Sequence, residues 1–167
     1  MHTIQEGMAN RVLRDALGLL YFLGVEKVHW LGFSMGGMIG QTFALRYPER
    51  LASIVLADTT SAHTATPVSM WEERIRIAKT QGMDPLVQPA INRWFTEAFR
   101  NSSPKVVEPV ASMIRSTSVD GWAGCCAAIA SIHTTDRLKE IECPVMVIVG
   151  ELMLEPHCQQ LLKCTII

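Results

Sequence analysis

A chain of 167 residues is the length of one ordinary domain and is long enough to bury a real core. Fifteen basic against 16 acidic residues leave a net charge of −1 and no basic run, which argues against nucleic acid or an anionic membrane surface as a partner. Although 49% of the residues are hydrophobic, no apolar run approaches the ~20 residues a membrane helix requires. The opening Met1-His2-Thr3-Ile4-Gln5-Glu6 lacks the charged and apolar regions of a signal peptide, so a cytoplasmic protein is expected. Five cysteines (Cys125, Cys126, Cys143, Cys158 and Cys164) occur without a CxxC. With Cys125-Cys126 set among alanines, buried reduced thiols are expected rather than disulfides or a metal site.

Ile4, Met8, Val12, Ala16, Leu19 and Leu23 recur at helical spacing, which predicts an amphipathic N-terminal helix closed by Gly24. The apolar run Val28–Phe33 then reads as a strand, and it leads into Gly32-Phe33-Ser34-Met35-Gly36, a G-x-S-x-G. Helical character follows over Met38–Arg46 and stops at Tyr47-Pro48. A serine at such a junction sits on a sharp, strained turn that lifts its hydroxyl clear of the sheet. Glycines two residues either side are expected where side chains would collide as the backbone doubles back. Gly36 and Gly40, four apart on one helix face, would let that helix lie close on the sheet. The amide end of the helix points at the serine, so the backbone N–H of Met35 is available to a developing oxyanion. The bland alternative is a tight turn whose serine has no chemical role.

Ser53–Ala57 reads as a second buried strand and Val145–Val149 as a third. Short, uniformly apolar runs separated by helices predict a parallel sheet covered on both faces. Between the last two strands lies a helical stretch, about 66–132, with start signals at Thr66-Pro67, Asp84-Pro85 and Ser103-Pro104 that each pair a capping side chain with proline. Four helices are expected there, forming a lid over the carboxyl ends of the strands, where open α/β sheets bind ligands. Asp58, at the carboxyl end of the second strand, is either a catalytic acid or a turn cap for Thr59-Thr60. The Val28–Phe33 strand is expected to be an open apolar edge, which invites self-association.

The residues Gly32-Phe33-Ser34-Met35-Gly36-Gly37-Met38-Ile39-Gly40-Gln41, Tyr47-Pro48-Glu49-Arg50-Leu51 and Val55-Leu56-Ala57-Asp58-Thr59 resemble the α/β-hydrolases, and specifically the 3-oxoadipate enol-lactonases. Trp71-Glu72-Glu73-Arg74-Ile75, Arg93-Trp94-Phe95-Thr96 and Cys125-Cys126-Ala127-Ala128-Ile129 extend the likeness through the helical stretch. The resemblance implies a partial α/β-hydrolase fold: a small parallel sheet with flanking helices and an inserted helical lid. Core would occupy residues 1–62, lid 63–133, and returning core 134–167. It implies a serine hydrolase of a small carboxylic ester or lactone, with Ser34 as nucleophile, Met35 as an oxyanion donor and Trp94 lining the substrate pocket. No metal or organic cofactor is implied. A related esterase or a cofactor-free perhydrolase would share the elbow, and a non-catalytic remnant or interaction module is the alternative of a different class.

The departures from that family are specific. Its His-Gly loop, which supplies the second oxyanion N–H, has no counterpart before Val28. Gly150-Glu151-Leu152-Met153 places methionine where the family has its catalytic aspartate, and no segment matches the one carrying the family's histidine. The chain therefore reads as truncated at both ends. Serine needs a base to become nucleophilic. His63 and His157 are the candidates to stand in, Glu155 is a weaker acid candidate, and His29 is expected to pack into the sheet.

Overall fold

The computed structural model describes residues 2–62 and 67–150, with side chains from residue 11 onward. Helix α1, His2–Phe22, ends in a glycine cap: Gly24 has φ 65°, its N–H donates to Tyr21 at 3.1 Å, and the Val25 N–H donates to Leu20 at 2.9 Å. This paired pattern consumes carbonyls that the helix end would leave bare. The face that α1 buries runs through Leu13, Ala16, Leu17 and Leu20, whereas Leu19 and Leu23 are exposed. Both sets have helical spacing, and packing against Phe43 and Ala44 selects the first.

Strand β1, Val28–Phe33, runs directly into helix α2, Met35–Arg46. A 3-10 turn, Pro48–Arg50, returns the chain to β2, Leu51–Ala57, and β3, Val145–Ile148, follows much later. The sheet is parallel in the order β1-β2-β3, with Trp30 opposite Ile54 and Ile54 opposite Val145. Trp30, Ile54, Leu56, Val145 and Val147 face one side, and there they pack with Phe43 of α2 or with Leu138 of the second 3-10 turn, Thr135–Glu140.

The other side corrects the expectation of a sheet covered on both faces. Alternation along a strand sends Leu31, Phe33, Met146 and Ile148 to the opposite face, and these residues are 50–73% exposed. Within the first unit, α1, α2 and Leu138 all lie on the first face. The edge of β1 away from β2 is unpaired among the described residues.

The chain divides into two compact units, Met1–Ala65 with Ala128–Ile167, and Thr66–Ala127. The second holds its own core of Ala78, Met83, Val87, Ile91, Ala111 and Ile114. Among the described residues five helices occur where four were expected: α3 Val68–Gln81, α4 Asp84–Trp94, α5 Glu97–Ser102, α6 Pro104–Ser116 and α7 Val119–Ala130. The break between α4 and α5 is made by Thr96, whose hydroxyl accepts the Phe99 N–H at 3.2 Å. The proline signals do mark helix starts, but Asp84 and Ser103 make no capping bond. Asp84 lies inside α4 as its first residue and pairs with Arg115 at 3.4 Å instead. Thr66 lies outside the described residues. Cys125, Cys126 and Cys143 are free thiols, and burial pushes Cys126 up to about 12. Among the described residues no helix is long and apolar enough to cross a membrane.

In the first unit, the chain leaving β2 and the chain returning after α7 are laced together. Ala62 and His133 form an antiparallel bridge, Thr134 N–H donates to Ser61 at 2.8 Å, and the Ser61 and Thr135 hydroxyls are 2.8 Å apart. Gln41 of α2, fully buried, joins both strands of this neck. It accepts from the Thr134 hydroxyl at 2.6 Å and donates to the Thr60 carbonyl at 3.1 Å.

Candidate active site

Ser34 stands between β1 and α2 with φ 49° and ψ −117°, a conformation that costs a non-glycine residue about 1–3 kcal/mol. It is exposed. Its N–H still belongs to the sheet, donating to Ala57 at 2.9 Å, while its carbonyl already belongs to the helix, accepting from Gly37 at 2.9 Å and Met38 at 3.3 Å. One residue thus ends a parallel ladder and begins a helix, which forces the sharp bend and turns the side chain outward. Met35 is the first residue of α2, so its N–H is one of those a helix cannot use internally.

Close approach explains the glycines, though not all of them. A side chain on Gly32 would fall on the Gly36 carbonyl and the Gly37 nitrogen. One on Gly37 would meet Thr59 at 2.6 Å, and one on Gly40 would meet the Trp30 indole at 2.6 Å. A Cβ on Gly36 would meet nothing within 4 Å. The close-packing pair is therefore Gly37 and Gly40, three apart, rather than Gly36 and Gly40. Trp30 braces the same turn, donating from its indole to the Gly36 carbonyl at 3.1 Å while stacking on Phe43.

Asp58 directly follows Ala57, the partner of Phe33, so it and Ser34 emerge side by side from the ends of β2 and β1. It too has positive φ, 42°. Its carboxylate does not cap Thr59-Thr60: Oδ1 accepts the Gly150 N–H at 2.8 Å, tying the ends of β2 and β3 together. His29 is exposed rather than packed into the sheet, and its Nδ1 lies 2.7 Å from the Ser53 hydroxyl across the strands. It sits five residues before Ser34, about 16 Å along a strand. His133 Nε2 lies 3.6 Å from the Asp136 carboxylate. Among the described residues, no histidine is hydrogen-bonded to Ser34. His63, His157, Glu155 and Met153 lie outside the described residues. Trp94 ends α4 in the second unit and is 56% exposed.

Two further residues belong to this arrangement. Thr59, 2% exposed, donates its hydroxyl to the Ser34 carbonyl at 2.6 Å, and Trp30 braces the helix start. The only sequence sign of Thr59 is a hydroxyl residue just past a strand end. An open groove of about 400 Å³ lined by Lys27, Glu49, Glu142 and Cys143 lies at the amino ends of the strands, the opposite end from Ser34.

A parallel sheet, a strained serine between strand and helix, and glycines placed by close approach define a class, and the chain belongs to it: the family described as the alpha/beta hydrolase fold matches residues 9–152. Within that family it is 35% identical over 136 residues to 3-oxoadipate enol-lactonase 2 of Acinetobacter baylyi, covering 81% of this chain and 50% of that protein. The crystal structure of the enol-lactonase from Burkholderia xenovorans superposes with a TM-score of 0.85 at 27% identity, over 93% of this chain and 60% of that one. A thermophilic esterase from Thermogutta terrifontis superposes with a TM-score of 0.74 at 31% identity, over 83% and 52%. The chain spans about half the length of the curated relatives it matches.

Proposed function

We propose that this chain carries the nucleophile portion of a serine hydrolase acting on a small carboxylic ester or lactone, with an enol-lactone of the 3-oxoadipate type as the leading substrate. The observation that carries the reading is Ser34, exposed at φ 49° directly before the first N–H of α2, which the helix cannot use internally. In this reading the Ser34 Oγ attacks the substrate carbonyl carbon and the ring or ester C–O bond breaks. The serine proton passes to a base and from there to the departing oxygen, and water then hydrolyses the acyl-serine. The Met35 N–H stabilises the oxyanion formed on the way. Asp58 is the candidate acid to orient the base, since it emerges beside Ser34 at the strand ends with Oδ1 held by Gly150. Trp94 is the candidate substrate-contact residue on the helical unit.

The test is labelling with a fluorophosphonate, which reacts with activated serine. The expected result is an adduct on Ser34 that Ser34→Ala abolishes. Because losing a triad histidine can cost about 10⁶ in turnover, the labelling rate reads directly whether a base is in reach. Well-folded protein that takes no label would overturn the reading in favour of the non-catalytic remnant. Asp58→Asn, which keeps the Gly150 bond but removes the charge, is expected to slow labelling; an unchanged rate reduces Asp58 to a tie between strand ends.

The likeness to the Thermogutta terrifontis esterase favours a second reading, hydrolysis of simple esters. Relative turnover of the enol-lactone and of p-nitrophenyl acetate separates the two. We also propose that the β1 edge, which carries no Lys, Arg, Asp or Glu and has Leu31 and Phe33 exposed beside it, pairs with β1 of a second copy. Sedimentation should then give a dimer that Leu31→Lys converts to monomer, and a wild-type monomer would refute this.

A further inference from the structure

The Ser34 carbonyl and the Met35 N–H belong to one peptide plane and point in opposite directions. Whatever holds the carbonyl therefore aims the N–H. Three donors converge on that carbonyl: the Gly37 N–H at 2.9 Å, the Met38 N–H at 3.3 Å and the Thr59 hydroxyl at 2.6 Å. The first two come from α2 itself and would be present in any helix starting here. The third is the shortest, and it comes from a different element. Thr59 is held to the task by its surroundings. It is 2% exposed, it follows the positive-φ Asp58 that turns the chain off β2, and its side chain fills the space a Gly37 side chain would need.

From this geometry we propose that Thr59 is a positioning residue for the oxyanion donor: its hydroxyl orients the Ser34–Met35 peptide, and by bonding the carbonyl it makes the Met35 N–H a stronger donor. Hydrogen bonds in series polarise one another, which gives the second effect its physical basis. The same contact accounts for the glycine at position 37, since only a residue without a side chain leaves room for the threonine. The proposal rests on the reading of Ser34 as nucleophile for its chemical consequence, but the orientation of the peptide is testable without turnover.

Two variants separate hydrogen bonding from packing. Thr59→Val keeps the shape and removes the hydroxyl; Thr59→Ser keeps the hydroxyl and removes a methyl group. The Met35 amide resonance, followed by ¹⁵N–¹H correlation, is expected to move in Thr59→Val and to stay close to its wild-type position in Thr59→Ser. Removing an oxyanion donor outright costs about 10² to 10³ in rate, so losing the group that aims it should slow phosphonate labelling of Ser34 by about 3- to 30-fold in Thr59→Val, with Thr59→Ser restoring most of the rate. An unmoved Met35 resonance in Thr59→Val, or equal slowing in the two variants, would overturn the proposal. Should Thr59→Val not fold, the wild type decides: a hydroxyl so buried and bonded is expected to give a slowly exchanging proton signal, and its absence would overturn the assignment. If no variant and no wild-type sample takes label while the Met35 resonance responds as expected, the nucleophile reading falls and the role of Thr59 in setting this peptide stands.

Discussion

The two faces of the three-stranded sheet are built from the same apolar runs, yet they have opposite fates. On one, Ile54 is fully buried and Trp30 stacks on Phe43, with α1, α2 and Leu138 packed over the strands. On the other, Leu31 is 73% and Phe33 65% exposed, although they alternate with Trp30 and Gly32 in one strand. Hydrophobicity alone therefore does not decide burial here; the position of the covering helices does. It also explains why the elbow is well formed in a chain that spans about half of its relatives. Every group that shapes the Ser34 turn (Trp30, Gly37, Ala57 and Thr59) comes from β1, α2, β2 or the segment just after β2.

The largest effect expected of that contrast is at Ile54. Ile54→Ala should cost about 2–5 kcal/mol, the range for emptying a packed core site, read from the urea midpoint. Next comes Gln41→Leu, which leaves the Thr134 hydroxyl and Thr60 carbonyl without their buried partner; a cost of about 1–3 kcal/mol is expected, with earlier proteolysis in the neck at residues 60–62. A smaller, pH-dependent effect belongs to the helical unit. Cys126 is pushed up to about 12 chiefly by burial, whereas an unfolded thiol titrates near about 8.5. The folded state keeps a proton that the unfolded chain releases, so this contribution is intact below pH ~8.5 and fades as pH rises toward 12. Melting of the wild type should fall more steeply between pH 8 and 10 than melting of Cys126→Ala. Smallest of all, Leu31→Ala on the bare face should shift stability by no more than about 0.5 kcal/mol. A Leu31→Ala cost rivalling that of Ile54→Ala would mean that the second face is covered after all, and the contrast would fail.

Much of the elbow was legible in the residues. G-x-S-x-G after an apolar run and before a helical one points to the turn, with Gly32 the motif glycine that close approach requires, and Gly24 marks the end of α1 because few other residues accept its φ of 65°. The enol-lactonase likeness read from Gly32 to Gln41 and from the segments beyond it agrees with the relatives found. Legibility ended where a local pattern had two equivalent solutions. In α1 two stripes share the helical period, and only packing against Phe43 picks Leu13 and Leu20 over Leu19 and Leu23. Asp84 and Ser103 looked like caps because their residue type allows it, while capping bonds form at Thr96 and at Ser118, which accepts the Gly121 N–H. Asp58 reads from its position as either a catalytic acid or a turn cap for its neighbours; the cap does not form, and its carboxylate reaches Gly150, 92 residues away.

The sequence by itself determined the elements and the bend at Ser34, because helix period, strand alternation and glycine spacing act over a few neighbouring residues. Tertiary structure decided which strand face is covered, which glycines are crowded, and that Thr59 bonds the carbonyl of a residue 25 positions earlier. Those outcomes depend on how β1, β2 and α2 lie against one another, and no short-range pattern encodes a distance between segments that meet only when the chain has folded.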